Sequence, residues 1–370
     1  MIWYYHEKII SIILTLSLCI SVGNMFTNVK AVPGSYKKGD IDGDGSVTLS
    51  DAAYMNQFLR GSKSANALTI ERLDINGDFI INEYDCTLLS NMLITNNVTN
   101  KYYSYTSALP AQTSRTYYVY SPSTGYKNDD LTYTLNPVDN ITASNTSVMS
   151  IIDDDDRDPE DGLDGVINVQ YSNGDNCGTA FVIGKHTLLT AAHVVYNKTN
   201  LQFKIFSNYN TESNVQITPT SYHIPAMYVS WPDSWKYDYA IVTVQENLKN
   251  YNNHNYINFD LGLIRNEVSF NRTVYVTGFG GNGQNITPEL ADVKSTGSGS
   301  FLSTPDTVKN YAFYFNTDMV PGDSGGPVYV QNTDGSKTVI GICAYEGGSF
   351  NQATRITNDI LHFIYNNPNL

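Results

Sequence analysis

Charge is scarce in this chain. Asp, Glu, Lys and Arg make up 16% of its 370 residues, and 22 basic side chains face 36 acidic ones for a formal net charge of -14. So few cations argue against a nucleic-acid partner and for a calcium-tolerant surface. Cysteine is scarcer, with 4 in all, and Cys19 lies inside an apolar N-terminal run. Cys86, Cys177 and Cys343 are odd in number and scattered along the chain, so no disulfide framework can be read from them; Cys177 with Cys343 is the pair open to the C-terminal half. Long apolar runs are nearly absent. The one from Ile9 to Val22 is short for a membrane span and reads as part of a secretory signal peptide over residues 1–31. No comparable run follows, so the mature protein is expected to be secreted, free or held by a partner. What is plentiful is tyrosine (28) and asparagine, a composition that suits β-rich, turn-rich extracellular domains.

Residues 37–98 hold a duplicated unit. Its first copy places Asp40, Asp42, Asp44, Ser46, Thr48 and Asp51 at positions 1, 3, 5, 7, 9 and 12 of a loop, and its second places Asp74, Asn76, Asp78, Ile80, Asn82 and Asp85 likewise. Side-chain oxygens at five of these positions and a backbone carbonyl at position 7 match the calcium loop of an EF-hand, hard ligands for a hard cation. A helix-like stretch follows each loop, but none leads into it, and both loops end in Asp instead of Glu. These features resemble the dockerin family, small calcium-folded helical modules that bind cohesin domains on a scaffoldin. The resemblance implies two calcium sites, a cohesin partner and a cellulosome-like assembly. Loop positions 10 and 11, which help choose the cohesin in that family, are Leu49-Ser50 in one copy and Glu83-Tyr84 in the other, so a single dominant binding face is expected. Phe79 stands where the loop wants a glycine, at a cost of roughly 1–2 kcal/mol for the left-handed turn, which predicts a weaker second site.

Residues 99–149 are rich in Ser, Thr, Tyr, Asn and Pro, with β-forming stretches such as Thr116 to Tyr120, and read as a linker or pro-segment. An acidic run, Asp153 to Asp156 followed by Arg157, comes next, as a solvated turn or a maturation junction. Over residues 150–370, short alternating segments separated by Gly, Asn, Asp and Pro predict an all-β fold, sandwich or barrel. They include 166–170, 180–183, 188–190, 239–244, 273–276, 327–330 and 339–342. Only Asn358 to Tyr365 has a helical pattern.

Ser324 lies in Gly322-Asp323-Ser324-Gly325-Gly326, a tight turn suited to exposing its hydroxyl and to aiming the Gly322 and Ser324 amides at an oxyanion. Taken alone, the run also fits the nucleophile elbow of α/β-hydrolases. Upstream, Thr190-Ala191-Ala192-His193 ends a predicted hairpin, and Asp238 leads into the apolar strand Tyr239 to Val244. The order His193, Asp238, Ser324 and the sequences around each resemble chymotrypsin-fold serine peptidases; an α/β-hydrolase needs Ser before Asp before His, and only His362 follows Ser324. Gly184 to Thr190, His193-Val194-Val195, Asp238 to Val242 and Val339 to Ile342 look like the bacterial glutamyl-endopeptidase branch.

The resemblance implies a two-barrel chymotrypsin-like domain after the small dockerin, and a catalytic triad of His193, Asp238 and Ser324 with no catalytic metal. Glutamate selectivity in that branch uses a threonine and a histidine where this chain has Met319 and Cys343. Asp318 falls where the tryptic peptidases keep the acid that binds Lys or Arg, so Asp318, Met319 and Cys343 are the expected specificity residues. An amine freed near Ser150 or Ile151 is expected to pair with Asp323. The reading is a secreted serine endopeptidase carried by its dockerin; the alternative is an inactive peptidase-like binding protein on the same module.

Overall fold

The computed structural model describes residues 35–60, 62–63, 69, 72–95, 102–104, 113–135, 157–159, 163–206, 214–230, 236–253, 255–257, 259–264, 272–281, 294–302, 304, 311–346 and 350–366. All of these fall in one compact unit, Gly34–Leu370. The signal-peptide reading, the acidic run 153–156 and the junction at 150–151 lie outside the described residues.

Two large, mainly antiparallel sheets dominate, as the alternating segments predict. The first has nine strands, and its central members Val166–Gln170, Asn176–Gly184, Thr187–Thr190 and Ala240–Val244 carry the apolar residues read from the sequence. Phe181, Leu188, Leu189 and Ile241 are wholly buried among them. In the second sheet, Lys337–Glu346, Pro327–Gln331, Thr273–Gly278, Ser295–Leu302, Ala312–Phe315 and Asn351–Arg355 pair in that order. The last pairs again with the first, closing a six-stranded barrel. Closure leaves no open edge among these six strands. Phe313, Phe315, Val274, Val328 and Ile340 fill its interior.

Residues 113–135, inside the stretch read as a linker or pro-segment, form ordered structure. Strands Thr113–Tyr120 and Lys127–Leu135 form a hairpin added to the end of the first sheet through pairing with Pro219–Pro225. Tyr117 anchors it: the side chain is buried, stacks on Phe363 at 3.8 Å between ring centroids, and shares a 2.6 Å hydrogen bond with Tyr239. The hairpin forms because the β-favouring run Tyr117-Tyr118-Val119-Tyr120 meets the free edge of Pro219–Pro225, which receives it.

In the duplicated unit, helices Leu49–Leu59 and Glu83–Ile94 follow the two loops. Thr48 with Asp51, and Asn82 with Asp85, form reciprocal capping boxes, so the loop residues at positions 9 and 12 also start the helices. Met55, Phe58 and Leu89 are buried between the helices and their surroundings. The second loop is bound into the C-terminal half. Its strand Ile80–Ile81 pairs antiparallel with Leu263–Ile264, while the adjoining Asp260–Leu261 pairs parallel with Thr338–Val339 of the barrel. Gly262 sits at this junction, where a Cβ would collide with Thr338 and come within 2.9 Å of Ile80. Ile80 is counted in the barrel's own apolar core, Asn82 Nδ2 donates to Thr338 Oγ1 at 3.0 Å, and Arg272 binds Asp78 at 3.0 Å.

Candidate functional site

His193 and Asp238 meet because two antiparallel neighbours reach the same edge of the first sheet. Thr190, the last residue of its strand, pairs with Ala240, the first residue of the next. Asp238 therefore precedes Ala240 just where the chain turns from Thr190 into the short helix Ala192–Val195 that carries His193. The Asp238 carboxylate is fully buried and directs both oxygens at His193. Oδ1 accepts the backbone N–H at 2.9 Å and Oδ2 accepts the ring Nδ1 at 2.7 Å. A carboxylate only accepts, so Nδ1 carries the proton and Nε2 is the basic nitrogen. The ring keeps 32% of its side-chain surface exposed and lies 6.2 Å from the ring of Tyr345, which belongs to the barrel.

Ser324 is held at the seam between the two sheets. Its carbonyl accepts from the Thr179 amide of the first sheet at 2.7 Å, and the next amide, Gly325, donates to Cys343 O of the barrel at 2.7 Å. Gly325 has φ 85°, and a Cβ on it would collide with Thr179 O and Thr190 Oγ1, close to the entry of the His193 helix. Gly322 has φ 112°, and a Cβ there would lie 2.5 Å from Phe279 O. Only glycine fits either place. Thr179 ties the turn from the other side, its hydroxyl donating to Gly322 O at 2.7 Å and accepting from the Phe279 amide at 3.1 Å. Thr179 and Tyr345 were not legible as site residues, since a lone Thr in a strand and a lone Tyr near a strand end carry no chemical pattern.

Asp323 braces the turn. Its Oδ2 accepts the Val320 amide at 2.9 Å while its own amide donates to Val320 O at 2.9 Å. The side chain beside it is Arg157, whose guanidinium lies 3.4 Å from Oδ2, with exposures of 2% and 1% for the two side chains. The place expected for a freed amine is thus taken, in the continuous chain, by an arginine.

Asp318 is buried, with 3% exposed. Met319 and Cys343, expected at the specificity pocket, touch each other through Sδ and Sγ at 3.5 Å inside the barrel core, each with no exposed surface. Burial and the nearby charges of Asp323 and Asp238 push the Cys343 thiol well up, so it stays protonated. Cys86, Cys177 and Cys343 are all free.

In the first duplicated loop, carboxylate oxygens of Asp40, Asp42 and Asp44 lie within 4.8 Å of one another. Burial pushes the Asp40 and Asp51 carboxyls up from their ordinary value, the electrostatic mark of clustered acids taken out of water. Oxygens so gathered fit a calcium ion. In the second loop Asp78 is shared with Arg272, and Phe79 adopts φ 68°, the left-handed turn expected of that position. Asp51 and Asp85 match: each takes three backbone N–H groups of its own loop, from residues 41, 42 and 48 and from 75, 76 and 82.

Two family profiles match the chain: a dockerin type I domain over residues 38–94 and trypsin over residues 155–364. Among curated proteins, an extracellular metalloprotease of Bacillus subtilis is 24% identical over 54% of this chain and 61% of its own length. A glutamyl endopeptidase of Bacillus licheniformis is 25% identical over 60% of this chain and 69% of its own. This chain thus spans less than two thirds of the metalloprotease's length and just over two thirds of the glutamyl endopeptidase's. A solved Glu endopeptidase in complex with MPD superposes with a TM-score of 0.47 at 21% identity, over 58% of this chain and 97% of that one. The trypsin profile alone spans more than half of the 370 residues, and the chain belongs to the trypsin family, with the chymotrypsin-like two-barrel fold behind a dockerin type I module.

Proposed function

We propose that the protein is a secreted serine endopeptidase whose triad is His193, Asp238 and Ser324. The observation that carries this is the double hold of Asp238 on His193, which fixes the ring and leaves Nε2 basic, on a helix whose entry lies against Gly325 beside Ser324. Nε2 takes the Ser324 proton as Oγ attacks a peptide carbonyl, and returns it to the leaving amine as the C–N bond breaks. Asp238 stabilises the imidazolium, and the amides of Gly322 and Ser324 hold the tetrahedral oxyanion; a water then cleaves the acyl-enzyme by the same steps reversed. Asp318 is the residue to which substrate choice is assigned, as a buried acid six positions before the nucleophile that would favour Lys or Arg; Met319 and Cys343, with no exposed surface, would act only indirectly.

The duplicated module is proposed to bind two calcium ions, tightly through Asp40, Asp42, Asp44, the Ser46 carbonyl, Thr48 and Asp51, and more weakly through Asp74, Asn76, Asp78, the Ile80 carbonyl, Asn82 and Asp85. Its partner is a cohesin domain. The unequal surroundings of the two copies support one dominant face: Leu49 is 41% exposed, whereas Glu83 follows a strand that is already paired with the peptidase half.

A fluorophosphonate probe tests the enzymatic reading. Labelling of the wild type that disappears in Ser324→Ala, with peptide turnover falling about 10⁴-fold in Asp238→Asn, is the expected result. An unlabelled, folded wild type that still binds cohesin would instead establish the inactive binding protein. Cleavage of a peptide library reads the specificity, and indifference to Lys, Arg and Glu alike would remove Asp318 from its assigned role.

A further inference from the structure

Resting on the serine-peptidase reading, we infer that Arg157 is a positioning residue that orders the nucleophile turn from within the uncut chain, so that activity needs no freed N-terminal amine. The strand Asp158–Pro159 is sewn antiparallel to Ser295–Thr296 of the barrel, and this delivers Arg157 to the back of the turn. There the guanidinium meets Asp323 Oδ2 at 3.4 Å and donates to Ser295 Oγ at 3.3 Å, sealed from solvent with its partner.

The space for this pair is built by three glycines. A Cβ on Gly280 would lie 2.7 Å from Asp323 Oδ2 and 2.8 Å from Arg157 Nη1, one on Gly297 would lie 3.2 Å from Arg157 Cγ, and one on Gly278 would collide with Asp323 Oδ1. A chance surface contact has no such cradle. Asp323 in turn grips the Val320 amide, so the cation fixes the carboxylate, the carboxylate fixes the backbone from 320 to 323, and that backbone carries the Gly322 and Ser324 amides. A buried carboxylate stripped of its cation would turn outward or take a proton, and the turn would lose its brace. The effect belongs to the transition state, because the amides must already point at the site when charge appears on the substrate oxygen.

The test compares wild type, Arg157→Gln and Arg157→Lys in the full chain by fluorophosphonate labelling, steady-state peptide turnover, thermal melting and N-terminal sequencing. The expected outcome is an active wild type with the peptide bonds around 150–157 intact, and an Arg157→Gln protein that still folds but loses about 100-fold or more in kcat with little change in KM, the scale of losing an oxyanion donor. Partial recovery in Arg157→Lys, and in Arg157→Gln supplied with ethylguanidinium, separates positioning from mere stability. An Arg157→Gln enzyme with wild-type kcat, or activity that appears only after a cut that frees an amine upstream of Arg157, overturns the inference. A wild type that neither labels nor turns over peptide fails the serine-peptidase reading itself.

Discussion

His223 shows how much a single buried side chain can set the pH range of the fold. It lies in the strand Pro219–Pro225, its Nε2 paired with Ser221 Oγ at 2.8 Å and its ring 5.5 Å from that of Phe363. Burial lowers its pKa to about 4. The unfolded chain titrates near 6.5, so between these values the unfolded state holds a proton that the native state refuses. Native stability is therefore whole above about pH 6.5, falls as the pH drops toward 4, and ends lower by about 3 kcal/mol. Denaturant unfolding followed from pH 7 to pH 4 should show this loss, and His223→Leu should flatten it; parallel curves would assign the acid sensitivity to other groups. At this scale the candidate site was legible in part. Taken alone, His193, Asp238 and Ser324 each read as a strand end or a glycine turn; they stood out by their order and by surrounding sequences that resemble a known peptidase family. The pairing of Arg157 with Asp323 did not, because a long side chain reaching across the fold leaves no periodic trace.

Among elements, the second duplicated loop departs most from what the sequence led one to expect. Its spacing matches the first loop residue for residue, yet its strand Ile80–Ile81 completes a ladder with Leu263–Ile264 and its Asp78 is drawn to Arg272. Calorimetric titration of the metal-free protein should resolve two calcium events of unequal affinity. Arg272→Ala removes a positive charge beside a ligand, worth about 1 kcal/mol at ~4 Å in water, and should tighten the weaker event roughly five-fold. No change, or loss of the tighter event, would refute the assignment of the weaker site to the second loop. The strands that sequence periodicity found are the ones buried on their own account, such as Val166–Gln170 and Ala240–Val244. Ser295–Leu302, all Ser, Thr and Gly until its last two residues, becomes a strand only because Thr273–Gly278 and Ala312–Phe315 flank it. Its own side chains bury too little for an apolar alternation to show.

Over the whole molecule, the hairpin 113–135 decides what maturation can mean. Because Tyr117 is buried against Phe363 and bonded to Tyr239, a cut anywhere in 136–156 would leave the hairpin seated on the first sheet. Fragments from such a cut should co-elute on size exclusion and separate only in denaturant, and Tyr117→Ala should destabilise the protein by about 3–5 kcal/mol, as for other large aromatic truncations. Free release of the N-terminal fragment under native conditions would contradict this. The ladder between Ile80–Ile81 and Leu263–Ile264 has a mechanical consequence. A load taken up by the dockerin module would reach the barrel through this ladder and the adjoining pairing of Asp260–Leu261 with Thr338–Val339. A peptidase domain attached in this way would be aimed as well as anchored, held at a fixed angle to whatever surface holds the module.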